Sequence, residues 1–515
     1  MPESIIFDKK IDVVLTLLEE GARAFTCSVS RFVEPMQGTI RRAKSKRHHI
    51  IYGRRGSGKS SLLHKTADIL LEDDYPVAFV DLERFKGHHY PDVLISVLIA
   101  AFTEYDSWLV KYLECHKKKW YQLFKDTKEK EIAALRTTIS TYISELKREL
   151  FSSDQSVLSV QSEQGENLKL KSRAKAASFG ASSSVGAGIE QKSREVRSEE
   201  FSRTKTDFLH RKILDYQSIF AAMSKLTDSD CYLFLDDLYH IVRNDQPKLL
   251  DYIHRIAKGY HLWIKVGTIK HRSTCYVHAV QPTGLKPADD ADVINLDQTL
   301  ENYSTTKKFL TDILDRYLQE AHAPERNILI SENGLERLAI ASGGVPRDFL
   351  GLFRRAVDET RNRLNANPKH PRGPKIGAED VNMGVGYYGE SKREELNKDV
   401  LEDREILDST LNGVSTFCLD ISHANVFLLE QGIDSDEHQR INELIDLRLI
   451  HHIKSRVTVK DRPQKIYRAL LLDVSFYAGE CKRRKFTMIE FWKGDREELR
   501  KATLIYPIIK SDPIR

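Results

Sequence analysis

The sequence predicts a three-layer α/β fold built on a parallel sheet, and three observations carry that expectation. Apolar runs of strand length alternate with helical stretches from about residue 49 to residue 296. The first run, His49-Ile50-Ile51-Tyr52, opens into the octapeptide Gly53-Arg54-Arg55-Gly56-Ser57-Gly58-Lys59-Ser60, and Ser60-Ser61-Leu62-Leu63 leaves it as a helix. A later run, Cys231-Tyr232-Leu233-Phe234-Leu235, closes on Asp236-Asp237. Sequential parallel strands joined by crossovers put their carboxyl ends on one side of the sheet, where ligands bind.

The octapeptide has the G-x-x-x-x-G-K-S spacing of a phosphate-binding loop, in the strand–loop–helix setting that the motif requires. Its glycines let the backbone wrap phosphates and aim N–H groups at them, at the positive end of a helix. Residues Gly53, Arg54, Arg55, Gly56, Ser57, Gly58, Lys59, Ser60 and Ser61 are therefore the expected nucleotide contacts. Lys59 is placed to bridge the β- and γ-phosphates of ATP, and the Ser60 hydroxyl to bind Mg²⁺. The acidic pair at the end of the third strand completes this chemistry. Asp236 is expected to orient the Mg²⁺ shell, and Asp237 stands where a water-polarising carboxylate belongs.

The remaining elements follow in order. Glu72-Asp73-Asp74-Tyr75-Pro76 ends the first helix, Val77 to Leu82 is the second strand, and a helix runs from Pro91 to about Tyr105. The fourth strand, Leu262 to Val266, ends in Gly267-Thr268, and Thr268 is the candidate for holding the attacking water or touching the γ-phosphate; a threonine that simply ends a strand reads the same way. The fifth strand is Val293 to Leu296. Beyond it, Gly343-Gly344-Val345-Pro346-Arg347-Asp348 stands between two helical stretches, with Pro at the first position of the second.

These motifs together resemble the AAA+ ATPases of the origin-recognition-like and STAND branch, over residues 25–365. Walker A, the strand ending in Asp236-Asp237, the Gly-Thr strand end and Gly344-Val345-Pro346-Arg347 carry the resemblance. It implies an ATP-dependent switch, commonly oligomeric, that loads or recruits something. It also implies that Arg347 reaches the γ-phosphate from a helical lid, and that a neighbour's arginine completes the site. Arg272, just past the fourth strand, is the choice for that finger. Many relatives carry glutamate where this chain has Asp237, one methylene shorter, so slow hydrolysis is expected.

Between the second and third strands lies an insertion, 116–208. Ile132, Leu135, Ile139, Tyr142 and Leu146 precede its turn-rich middle, and Leu209, Ile213, Tyr216, Phe220 and Met223 follow it, both at three- and four-residue spacing. The two seams pair as a helical hairpin or each packs on the α/β core. Ser152 to Glu200, rich in Ser, Ala and Gly, reads as a loop or thin hairpin.

The expected domains are an N-terminal helical segment (1–45), the ATPase core (46–300), the lid (301–365), a linker (366–400) and a C-terminal domain (401–515). That last part reads as three helices and then a two-stranded ribbon, Ile450–Val457 and Ile466–Leu472, and resembles a winged helix-turn-helix domain. Lys454, Arg456, Lys460, Arg462 and Lys465 form its expected contact with double-stranded DNA. Asp434, Asp436, Glu437, Glu443 and Asp446 make the would-be recognition helix acidic, so protein contact competes with DNA.

Composition bounds these readings. The chain has 515 residues, 30% of them charged, and a net charge of +5, too slight to imply nucleic acid or membrane by itself. Six scattered cysteines without a C-x-x-C pair fit a reducing cytoplasm, and no run of eighteen apolar residues suggests a membrane span. The expectation is a cytoplasmic ATP- and Mg²⁺-dependent switch that forms homo-oligomers and acts on DNA or recruits a protein effector to it. A replication initiator, a transposon target selector and an anti-phage defence ATPase all fit; so does a signalling scaffold that senses a protein and binds no DNA.

Overall fold

The computed structural model describes residues 5–21, 31–116, 127–152, 186–399, 404–432, 435–478, 486–494 and 497–508. A short N-terminal pair of helices, α1 (Lys9–Glu20) and α2 (Thr39–Lys44), leads into a five-stranded parallel sheet. Its strands are β1 (His48–Tyr52), β2 (Val77–Asp81), β3 (Cys231–Asp236), β4 (Leu262–Thr268) and β7 (Ala291–Asn295), in the spatial order β2-β3-β4-β1-β7. The small hairpin β5 (Tyr276–Val277) and β6 (Thr283–Gly284) lies outside it.

Side-chain alternation along the strands builds the three layers. Ile50, Leu233 and Leu235 face one core with α4 (Asp92–His116), α5 (127–152), α6 (Gly186–Thr227) and α7 (Gln246–Ala257). Ile51, Tyr232 and Phe234 face the other, with α2 and α3 (Lys59–Glu72). Every residue of β3 is buried, which is why it reads as an unbroken apolar run rather than an alternating one. The helix α4 is apolar and long enough by composition to cross a membrane, but most of its apolar stretch lies inside this core.

Both readings of the insertion hold at once. The seams of α5 and α6 meet each other, with Tyr142 and Tyr216 ring centroids 5.6 Å apart, and join the sheet's core through Phe102 and Tyr105 of α4. The part of the loop expected over Ser152 to Glu200 that begins at Gly186 is helix; residues 153–185 lie outside the described ones.

The lid consists of α8 (Tyr303–Glu320), α9 (Arg326–Leu329), α10 (Glu332–Ala341) and α11 (Pro346–Ala366). Two expectations are corrected here. The stretch 366–400 is not a linker: it contains the 22-residue helix α12 (Ala378–Asp399), whose Val381 and Val385 enter the lid core. The C-terminal part is not three helices and a ribbon. After α13 (Arg404–Thr416) comes a strand, β8 (Val426–Glu430), then one helix, α14 (Asp436–Asp446), and the antiparallel strands β9 (Ile450–Val459) and β10 (Arg462–Leu472). These strands form one sheet in the order β8-β10-β9. The apolar run Val426-Phe427-Leu428-Leu429 is fully buried, and its contacts with β10 make it a strand rather than the middle of a helix. One continuous apolar core joins α1, the lid and the C-terminal sheet.

Candidate nucleotide site

The strand order places β4 between β1 and β3, so the carboxyl ends of all three open into one crevice. Gly53 N–H donates to the Thr268 carbonyl at 3.2 Å, tying the start of the phosphate loop to the end of β4. Gly56 and Gly58 have φ of +81° and +94°, the left-handed conformation that glycine takes without a steric penalty. At Gly267 a side chain would stand 2.6 Å from Asp236 Oδ1, so the glycine before Thr268 makes room for the Asp236 carboxyl.

Lys59 is buried and donates to the carbonyls of Gly53 and Arg54 at 3.0 and 3.3 Å. Burial lowers its pKa, against the pull of Asp237 and Asp236. Asp236 accepts a hydrogen bond from Ser60, and burial together with neighbouring Asp237 pushes its carboxyl up to about 7. Asp237 sits in the left-handed region at φ +56°, and its N–H donates to Asp236 Oδ1 at 2.9 Å; burial raises its pKa too. A hydroxyl and a carboxyl held together, with a second, half-buried carboxyl beside them, is a donor set short of positive charge. Ser57 Oγ is buried with no hydrogen-bond partner, in a loop whose glycines leave its backbone open. These residues fit a nucleotide with Mg²⁺: Ser60 and Asp236 would hold the metal, and Lys59 the phosphates. The ion would supply charge neutralisation at the phosphate oxygens.

Thr268 is buried, and its hydroxyl is bonded to the Ser273 hydroxyl. Arg347 is brought to the loop: its N–H donates to the Gly56 carbonyl at 3.3 Å, and a side chain at Gly56 would collide with Arg347 Cβ at 2.6 Å. Arg272 stacks over the ring of Tyr239 in its own chain, 5.6 Å from the centroid, and Lys59 Nζ lies 5.9 Å from that ring. Arg55 and Ser61 are partly exposed at the loop's edge.

Arg54 behaves differently from its neighbours. Its guanidinium is buried and donates to the carbonyls of Gln298 and Gly343 at 2.7 and 3.1 Å, while its N–H donates to Asp297 at 2.7 Å. It ties the phosphate loop to the end of β7 and to the lid, rather than facing a phosphate. Asp297 and Tyr239, absent from the expected site, had no motif to mark them.

The C-terminal domain packs beside the phosphate loop, on the turn after β4 and on the lid. His271 N–H donates to Asp446, the last residue of α14, at 3.3 Å. Gly343 lies against His451 of β9, whose ring a side chain at Gly343 would overlap at 1.9 Å. Next to Arg347, the fully buried Asp348 accepts from Arg448 and from Tyr388 at 3.1 Å, and pairs with Lys392 at 3.2 Å. Lys392 also reaches Asp473 at 2.7 Å, and His451 Nε2 reaches Asp473 at 2.8 Å. Burial alone would raise Asp473, but Lys392 and His451 hold its carboxyl below the usual range. Burial lowers the His451 pKa. With a neutral imidazole, two acids meet two bases and the cluster balances.

The expected DNA contacts are divided. Lys460 pairs with Glu497 at 3.3 Å and Lys465 with Glu430 at 2.7 Å. Arg462 is exposed at the ribbon tip, and Lys454 and Arg456 lie nearer its root on β9. Asp434 falls outside the described residues.

No protein-family model matches the chain, and no curated protein matches it. Among solved structures, Aeropyrum pernix Orc1 in complex with DNA aligns over 92% of this chain and 92% of its own, at 12% identity and a TM-score of 0.32. Two Thermotoga maritima RuvB variants align over 74% and 85% of this chain, and over 72% and 89% of theirs. Their identities are 10% and 11% and their TM-scores 0.27 and 0.29. Overlaps this loose carry no functional argument; the P-loop fold rests on the chain's own strand order and phosphate loop.

Proposed function

We propose that this protein is an ATP- and Mg²⁺-dependent molecular switch of the AAA+ kind that hydrolyses ATP slowly and uses its C-terminal domain to act on DNA or to recruit an effector to it. One observation carries the reading. The C-terminal domain meets the surroundings of the phosphate loop, with Asp446 accepting from His271 N–H after β4 and His451 lying against Gly343, which Arg54 of the loop also reaches, so the occupant of the loop and the position of the C-terminal domain bear on each other. Slow turnover follows from Asp237, whose short side chain reaches less far than a glutamate. Self-assembly is part of the proposal. In this arrangement Arg272 faces its own Tyr239, so a role on a neighbour's nucleotide requires it to leave that ring.

DNA contact through the ribbon draws on Lys454, Arg456 and Arg462 first, because Lys460 and Lys465 must exchange partners. A second reading, a STAND-like scaffold that senses a protein and binds no DNA, is favoured by α14. The last turn of that helix is buried against the β4 turn and cannot enter a groove while docked. Titrating the full chain with a labelled duplex in ATP and Mg²⁺ separates them. The DNA reading expects binding at about 50 mM salt with a log–log salt slope of about −3. No binding with ATP bound leaves the scaffold. The full chain is required, because the core of residues 401–515 is continuous with the lid.

A further inference from the structure

Lys454, Arg456 and Thr458 lie close together on β9, where a β-bulge between Lys454 and Val457 interrupts the alternation of side chains. Across from them runs the turn Glu498–Arg500. Lys454, Arg456, Thr458 and Arg500, with Val457 and Leu499, line a cleft of about 70 Å³. Val457 and Leu499 are buried and give it an apolar floor. Among the described residues, Lys454, Arg456 and Arg500 have no ion pair, whereas the acids of the turn are matched: Glu497 by Lys460 at 3.3 Å and Glu498 by Lys501 at 3.7 Å. Glu301 also lies near Lys454, but its carboxylate is held by the N–H and hydroxyl of Ser455.

Three cations and a hydroxyl that can donate surround a small opening, a set suited to a tetrahedral oxyanion. Two of the cations are arginines, whose planar fork presents paired N–H groups to phosphate oxygens. We propose that the cleft between β9 and the 498–500 turn is a phosphate site that takes one backbone phosphate of duplex DNA, anchoring the root of the ribbon while its tip follows the duplex. This assignment rests on the DNA-binding reading for its ligand, though not for its anion chemistry. Arg500 is the new element: it lies beyond the ribbon, in a segment to which no motif pointed.

The test compares the full chain with Arg500→Ala and Arg456→Ala/Arg500→Ala. A labelled duplex is titrated between about 50 and 200 mM salt, and ATP affinity is the control for folding. Loss of one phosphate contact should flatten the salt slope by about one unit for Arg500→Ala, with weakening of all sequences alike. Unchanged slope and affinity in a wild-type chain that does bind DNA would overturn the cleft and leave the DNA reading standing. If the wild type ignores DNA, the second arm decides. Calorimetry with inorganic phosphate, on a Lys59→Ala background so that the nucleotide loop does not contribute, should show a site that Arg500→Ala abolishes. Phosphate binding there would retain the cleft as a small-anion site while the DNA reading fails, and none would overturn both.

Discussion

The backbone N–H of His271, in the turn that ends β4, donates to the carboxyl of Asp446 at the end of α14 across 3.3 Å. This bond spans the chain from the strand beside the phosphate loop to the helix of the C-terminal domain. A carboxyl buried there is costly. Burial and nearby Asp297 push Asp446 up to about 7, against the favourable pull of Arg54, His271 N–H and Arg272.

The sign of the pH dependence follows from that shift. The docked state holds the Asp446 proton more tightly than the undocked one, so its contribution is complete below about 3.8 and is lost as pH rises to about 7. His451 acts in the opposite direction: its lowered pKa favours docking at higher pH and disfavours it as the imidazole protonates. Asp446→Asn isolates the carboxyl. Its stability advantage over wild type, from urea unfolding at fixed pH, should grow between pH 4 and 7 by up to about 1.4 kcal/mol per unit and stay flat above.

Nucleotide binding should depend on Lys59. Lys59→Ala is expected to abolish ATP binding, because no other side-chain cation of the loop is buried facing Asp236 and Asp237; Arg54 is committed to Gln298 and Gly343. Fluorescent-ATP titration reads the result, and an unchanged affinity would remove the nucleotide argument.

The two acids should separate by role. Asp236→Ala is expected to lose Mg²⁺-dependent turnover, while Asp237→Asn should keep ATP bound and unhydrolysed. Phosphate release and retained nucleotide, measured side by side, distinguish them. Equal loss of binding in both variants would mean that Asp237 serves the loop's structure.

The buried cluster should be costly to break. Lys392→Met leaves Asp348 and Asp473 short of one cation in a site with almost no exposure, and a loss of about 3–5 kcal/mol in unfolding stability is expected. A loss below about 1 kcal/mol would show that the lid and C-terminal domain are not held by these charges.

The strand–loop–helix geometry of the phosphate loop was readable because local chemistry dictates it. Gly56, Gly58, Lys59 and Asp236 occupy positions where only a few residue types serve, at spacings that a single strand–loop–helix unit sets. The roles of Arg54 and Asp446 were not readable. Both depend on contacts across hundreds of residues, and an arginine inside a phosphate loop reads as a phosphate ligand until its partners are seen. The strand β8 was missed for a related reason: four consecutive buried apolar residues fit a helix or a strand, and only pairing with β10 decides. The stretch 366–400 reads as a linker because Asn365 to Lys375 is rich in Pro, Asn and basic residues, although α12 follows within a few residues.

The central claim is that the phosphate loop and the C-terminal domain are coupled, and amide hydrogen exchange tests it most directly. Adding ATP and Mg²⁺ to the full chain should change exchange at residues 446–453 and 341–348 as well as at the loop, and Lys59→Ala should abolish all three changes together. Changes confined to residues 53–60, with 446–453 identical in both states, would contradict the account.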